Sequence, residues 1–180
     1  DSNPSAANPI FCLGNVKSHE ADPVVFPLST VGEMEIDPYS LILTAGTVSF
    51  TLSSGRIYNL YVSLNWQNTG NAPVYEQWQV WYQLRDTANN VAWETNSGFS
   101  KFQGPSNTNP FDTTKLLQPG EAPYTYGNSY TVDANSIAPG TYKLNLIIKD
   151  PNGYRQPLPL AIYGRQGYGG YILSNTINIA

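Results

Sequence analysis

The clearest pattern in the chain is a strict alternation over residues 58–66. Leu60, Val62, Leu64 and Trp66 fall on one face; Asn59, Tyr61, Ser63 and Asn65 fall on the other. A half-buried β-strand has this period of two. Residues 78–85 repeat it, with Trp78, Val80, Tyr82 and Leu84 on the apolar side and Gln79, Trp81, Gln83 and Arg85 on the polar side. The turn at 86–90 and an apolar return at 91–94 then predict a hairpin. Residues 141–149 form another strand, with Tyr142, Leu144, Leu146 and Ile148 facing inward. Shorter strands are predicted at 24–28, an edge strand because of Pro27, and at 41–44, 47–52, 130–132, 158–163 and 171–179. Ala45-Gly46, Ser53-Ser54-Gly55, 68–73, Pro139-Gly140 and 150–153 read as breaks or turns. Residues 96–128, interrupted by Pro105, Pro110, Pro119 and Pro123, read as a long loop, a feature often tied to function. No long helical period and no internal repeat is present. Nine or ten short strands at this spacing predict an all-β, antiparallel β-sandwich, jelly-roll or immunoglobulin-like, over residues 23–180. Residues 1–22, rich in Asn, Ser, Pro and Ala around Ile10-Phe11-Cys12-Leu13, read as a short N-terminal arm.

Composition narrows the function classes. Only 12% of the 180 residues are charged, against roughly 25% in ordinary domains, while aromatics reach 13%. A helical bundle or coiled coil is excluded for want of helix-forming charged residues. The net charge of −4 and the lack of a Lys/Arg stripe argue against nucleic acid as a partner. No apolar run reaches the roughly 18 residues of a membrane helix. One Cys, one His and one Met exclude a thiolate or multi-histidine zinc site within the chain, and a disulfide framework. An opening at Asp1-Ser2-Asn3-Pro4 is expected of a processed or trimmed chain. Low Lys/Glu content, abundant Asn, Thr and Tyr, and no usable glycosylation acceptor lead us to expect a secreted or cell-surface bacterial protein.

Four features of the sequence bear on chemistry. Paired carboxylates would suit a glycosidase, which holds two of them roughly 5 to 10 Å apart. Glu33 with Glu35, Glu35 with Asp37, and Glu76 with Glu94 are the candidate pairs, and a small jelly-roll glycoside hydrolase is the enzymatic alternative. His19, beside Glu20 and Asp22, sits in a polar arm and reads as solvated. No cofactor is expected, although residues 86–90, 150–153 and the surroundings of Asp112 offer the hard oxygens of a structural calcium site. The glycine-rich 164–170 segment lacks the Lys-Ser/Thr of a phosphate loop.

The aromatics carry the strongest signal. Trp66, Trp78, Tyr82 and Tyr142 fall on apolar faces and belong in a core. Trp81 instead shares a face with Gln79, Gln83 and Arg85, and Tyr61 with Asn59, Ser63 and Asn65. Tyr124, Tyr126 and Tyr168 lie in proline- or glycine-rich stretches. A flat ring flanked by amides suits a sugar: the ring covers the C–H face, and amides bond the hydroxyls.

Several motifs also follow one another in a fixed order. They are Trp66 to Tyr75 with its Asn-Thr-Gly-Asn-Ala-Pro turn, Gln83-Leu84-Arg85-Asp86, Pro139-Gly140-Thr141-Tyr142, Leu158-Pro159-Leu160-Ala161-Ile162 and Gly170-Tyr171-Ile172-Leu173. This order resembles a bacterial β-sandwich family of unknown function found C-terminal to glycosidase-like barrels, over residues 45–180. The resemblance implies an accessory carbohydrate-binding module attached to a catalytic domain, and carries over no binding residue. The expected function is therefore non-catalytic binding of a plant or microbial polysaccharide or oligosaccharide, targeting an attached or partner enzyme to it. Trp81 would be the stacking ring, Gln79 and Gln83 its amides, with Tyr61, Tyr124, Tyr126 and Tyr168 contributing. A structural or adhesive spacer is the further alternative.

Overall fold

A computed structural model describes residues 24–25, 40–103 and 113–180. The 1–22 arm with Cys12 and His19, the Glu33, Glu35 and Asp37 set, and Asp112 lie outside the described residues. Eight strands are described: β1 Val24–Val25, β2 Leu41–Ser54, β3 Ile57–Asn68, β4 Gln79–Arg85, β5 Val91–Asn96, β6 Tyr124–Asp133, β7 Gly140–Lys149 and β8 Tyr171–Ile179. They form two four-stranded antiparallel sheets, ordered β1-β2-β3-β6 and β5-β4-β7-β8. The chain is thus an all-β sandwich.

The connectivity is immunoglobulin-like rather than jelly-roll. The order β8-β7-β4-β5 reproduces the G-F-C-C′ sheet, and β3 beside β6 reproduces the B–E pair. Tyr142, near the start of β7, donates its hydroxyl to the carbonyl of Ala138 at 2.7 Å. That is the tyrosine corner such sandwiches place at the start of strand F.

Alternation explains the core. Leu60, Val62, Leu64 and Trp66 of β3 are fully buried, as are Val80, Tyr82 and Leu84 of β4 and Leu144, Leu146 and Ile148 of β7. These two inner faces meet, and the apolar area removed from water drives their association. Tyr82 is an exception to clean apolar packing. Its hydroxyl is buried with no hydrogen-bond partner among the described residues, and burial, reinforced by Tyr130 and Tyr126, raises its pKa well above the ordinary value. An orphan buried hydroxyl costs stability. Tyr82→Phe should therefore leave the thermal midpoint unchanged or raise stability by up to about 1 kcal/mol. A clear loss in a denaturation experiment would show that the hydroxyl has a partner.

Three sequence expectations are corrected. Residues 41–44 and 47–52 belong to one strand, β2, because a register shift between Leu43 and Ala45 absorbs the Ala45-Gly46 break. At the edge, β1 pairs across this point, Val24 opposite Gly46 and Val25 opposite Ala45. Residues 158–163 are not a strand: Pro157 and Pro159 interrupt a ladder there. The segment instead ties the sheets together, Leu158 N–H donating to Ile148 of β7 and Ala161 N–H to Leu41 of β2. Tyr171 Oη completes this tie by bonding both the N–H and the carbonyl of Leu160. Finally, strand character begins at Tyr124, not Tyr130. Among the described residues, no helix is long and apolar enough to cross a membrane.

Candidate functional site

Strand β4 presents Gln79, Trp81, Gln83 and Arg85 on the outer face of the β5-β4-β7-β8 sheet, and their side chains are linked in sequence. Trp81 Nε1 donates to Gln79 Oε1 at 3.1 Å. Lys149 Nζ lies 4.6 Å from the centre of the Trp81 ring and 2.6 Å from Glu94 Oε2. Gln83 Nε2 donates to the same oxygen at 2.7 Å. Arg85 Nε donates to Gln83 Oε1 at 2.9 Å, and the guanidinium stacks 3.9 Å over the Tyr168 ring. Tyr168 in turn donates its hydroxyl to Asn145 Oδ1. Partial burial opposes the ionisation of Glu94, but the bonds from Lys149 and Gln83 outweigh it and hold the carboxyl below its usual range.

One end of this face opens into a cleft of about 430 Å³. Trp78, Phe99 and Phe102 are its aromatic lining, and Gln77, Gln79, Asn96, Gln103 and Lys115 its polar lining. The wall carrying Phe99 and Phe102 is fastened at several points. Ser97 N–H donates to Val80, and Trp78 N–H to Phe102. The Ser97 carbonyl accepts from both Tyr126 Oη at 2.7 Å and Tyr130 Oη at 2.8 Å. Gly98 turns the wall with φ +74, and a Cβ there would stand 3.0 Å from Tyr126 Oη. Phe99 packs on Trp66 with ring centres 4.6 Å apart. Asn96 Oδ1 accepts from Gly98 N–H at 2.8 Å, as Gln79 Oε1 accepts from Trp81. Each amide thus has its oxygen committed and its NH₂ group unpartnered among the described residues. The three rings are themselves buried, and the Arg155 guanidinium stands 4.3 Å over that of Trp78, so they shape the cleft, while the fixed amide donors at its mouth can bond hydroxyl oxygens.

The structure gathers some of the expected residues and separates others. Gln79, Trp81, Gln83 and Tyr168 share the outer face. Gln83 is buried beneath the network with both ends of its amide in use, so it supports the face rather than offering donors to a ligand. Tyr168 is also engaged: Arg85 covers its ring, and a Cβ at Gly170 would meet ring carbon Cε2 at 2.8 Å. Tyr61 is on β3, in the other sheet, where it lies over Gly127. It is therefore on the opposite side of the sandwich from Trp81. Tyr124 and Tyr126 are strand residues of β6 that pack edge-on against Phe99. The flanking Pro119-Gly120 and Pro123 suggest a loop, but Gly127 is strand here because Tyr61 and Ser63 need the space a Cβ would fill. Both tyrosines position the cleft wall. Gln77, Asn96 and Gln103 escape a reading by strand face, because only the fold shows which loops converge there.

The carboxylates are occupied. Glu76 pairs with Arg155 at 2.5 Å and Glu94 with Lys149. Glu94 is opposite Gln83, well along β4 from Glu76. Asp86 accepts from Asn90 N–H and Nδ2. Asp150 accepts from the backbone of Asn152, Tyr154 and Arg155 and from the Arg155 side chain. Both turns thus spend their carboxylate oxygens on N–H donors, and the described residues include no cluster of three or more His, Cys, Asp or Glu suited to a metal.

Asp150 also gives a pH prediction. Hydrogen bonding from Arg155, helped by backbone donors, lowers its pKa to about 2, below the unfolded value of about 3.9. The stability it contributes is complete above about pH 4 and is lost as pH falls from about 4 toward 2. Asp150→Asn should flatten the acid limb of the stability profile in that window. An unchanged limb would show that the folded and unfolded pKa values coincide.

No protein-family model matches the sequence, and no curated protein matches it significantly. Among solved structures, the crystal structure of a Bordetella pertussis protein provisionally named ApaA is similar at 19% identity and a TM-score of 0.38, over 78% of this chain and 97% of that one.

Proposed function

We propose that this chain is a non-catalytic glycan-binding module, secreted or displayed at a cell surface, that holds a polysaccharide for an attached or partner enzyme. The observation that carries the reading is the mouth of the cleft, where amide donors on Gln79 and Asn96, unpartnered among the described residues, stand beside the partly exposed ring of Trp81. The resemblance to sandwich domains that follow glycosidase-like barrels points the same way. A lining in which amides outnumber the one charged side chain, Lys115, among the described residues suits a ligand rich in hydroxyls, since amides both donate and accept. Binding begins at the cleft and continues across the outer face past Trp81.

Affinity electrophoresis through gels containing xylan, β-glucan, mannan or pectin tests it, with a polysaccharide-free gel as control. Retardation in at least one gel is expected, reduced by the double substitution Gln79→Ala/Asn96→Ala at an unchanged melting temperature. Equal mobility in every gel would contradict the proposal. A second reading, a spacer or adhesive module, draws on the exposed rings of Tyr75, Tyr154 and Tyr163, which a neighbouring domain could cover. It predicts no retardation at all.

A further inference from the structure

The end of the outer face away from the cleft carries an electrostatic arrangement that folding does not explain. Arg85 of β4 and Lys143 of β7 are directly opposite in the antiparallel register. Like charges so placed destabilise a sheet. No carboxylate bonds either of them: Glu94 is near enough to feel the Arg85 charge, but its bonds go to Lys149 and Gln83, and Asp86 is taken by its own turn through Asn90. The Lys143 ammonium has no partner among the described residues; the Asn145 side chain bonds its backbone carbonyl, not its side chain. Arg85 is held rigidly, by Gln83 at Nε, by the Asn89 carbonyl at Nη1 and by the Tyr168 ring below. Its Nη2 has no hydrogen-bond partner among the described residues. A fixed guanidinium edge beside a free ammonium, on a chain of net charge −4, is suited to a carboxylate.

We infer that Arg85 and Lys143 form an anionic subsite of the glycan-binding face, and that the ligand is an acidic polysaccharide whose uronate carboxylate sits between them. This inference rests on the glycan-binding reading and narrows it to a substrate class. Arg85 contributes its Nη2 edge, Lys143 a point charge, and the stacked Tyr168 keeps the guanidinium from swinging away. The like-charge pair is then a cost to the empty sheet that the bound carboxylate relieves.

The test compares polygalacturonate with its fully methyl-esterified form, which has the same backbone without the charge. Dextran sulfate and the neutral polymers above complete the set. Wild-type protein is expected to bind polygalacturonate about tenfold or more tightly than the ester, and to lose this preference in 0.5 M salt, a concentration of roughly three times the physiological ionic strength. Lys143→Gln should weaken polygalacturonate binding about tenfold while leaving the melting temperature unchanged or higher, which a merely structural lysine would not do. Equal binding of the acid and its ester, preference for dextran sulfate over polygalacturonate, or wild-type affinity in Lys143→Gln would each overturn the inference. Binding confined to a neutral polymer and abolished by Gln79→Ala/Asn96→Ala would overturn it while leaving the glycan-binding reading in place. Failure to bind any polymer would overturn both.

Discussion

Replacing Trp66 by alanine is expected to lower the unfolding free energy by about 3–5 kcal/mol and to abolish ligand binding with it. Trp66 is fully buried on β3, with Phe99 tilted against it at 4.6 Å and Phe102 edge-on at 5.6 Å. Those two rings belong to the cleft wall. The indole therefore joins the sandwich core to the segment that shapes the site. Removing it leaves a cavity that β3, hydrogen-bonded on both sides by β2 and β6, has little freedom to fill. The Ser97 anchor to Tyr126 and Tyr130 remains, so the wall would loosen at Phe99 and Phe102 before it detached. The indole Nε1 has no partner among the described residues, so Trp66→Phe should cost distinctly less than Trp66→Ala. Urea denaturation of the three proteins measures both differences. A loss below about 1 kcal/mol for the alanine variant would show that the core closes around the gap.

The second large effect concerns affinity rather than stability. Trp81→Ala should weaken glycan binding by about 30-fold, as expected of a central aromatic contact, with little change in unfolding. Trp81 is only partly buried and faces away from the core. Its ring is set in advance, by the bond from Nε1 to Gln79 at one end and by Lys149 over one face. A ring already held costs little further ordering when a sugar meets it. Isothermal titration calorimetry with the polysaccharide that retards the wild type gives the ratio. Unchanged affinity would remove Trp81 from the site and confine binding to the cleft.

Much of this arrangement is legible in the sequence, for identifiable reasons. The faces of β3, β4 and β7 follow from period-two alternation because one side of each is pressed into the core, and a slip of one residue would turn it out. Trp81 and Gln79 are therefore placed correctly on the outer face. The same alternation cannot say to which sheet a strand belongs. Tyr61 and Trp81 look equivalent as exposed rings among amides, yet the two sheets carry them to opposite sides of the sandwich. Nor does it separate an amide that faces a ligand from one that supports a network, as Gln83 does beneath Glu94 and Arg85. Proline and glycine misled in both directions. Pro157 and Pro159 keep an apolar run from becoming a strand, while Gly127 sits inside β6 because Tyr61 lies over it. The cleft itself is built by residues distant in sequence, Gln77 and Gln79 meeting Asn96 and Phe102, and emerges only once the sheets are stacked.

The tryptophans allow the site to be located in solution. In a ¹⁵N-labelled sample, each indole N–H gives a separate resonance that can be followed during titration with oligogalacturonide, xylo-oligosaccharide and manno-oligosaccharide. The Trp78 and Trp81 resonances should move saturably with at least one of these sugars, while that of Trp66, sealed in the core, stays still. If no sugar moves them, or if a sugar that binds moves only Trp93, a partly buried residue of β5 packed against the core, the cleft and the outer face of β4 are not where this protein meets a glycan.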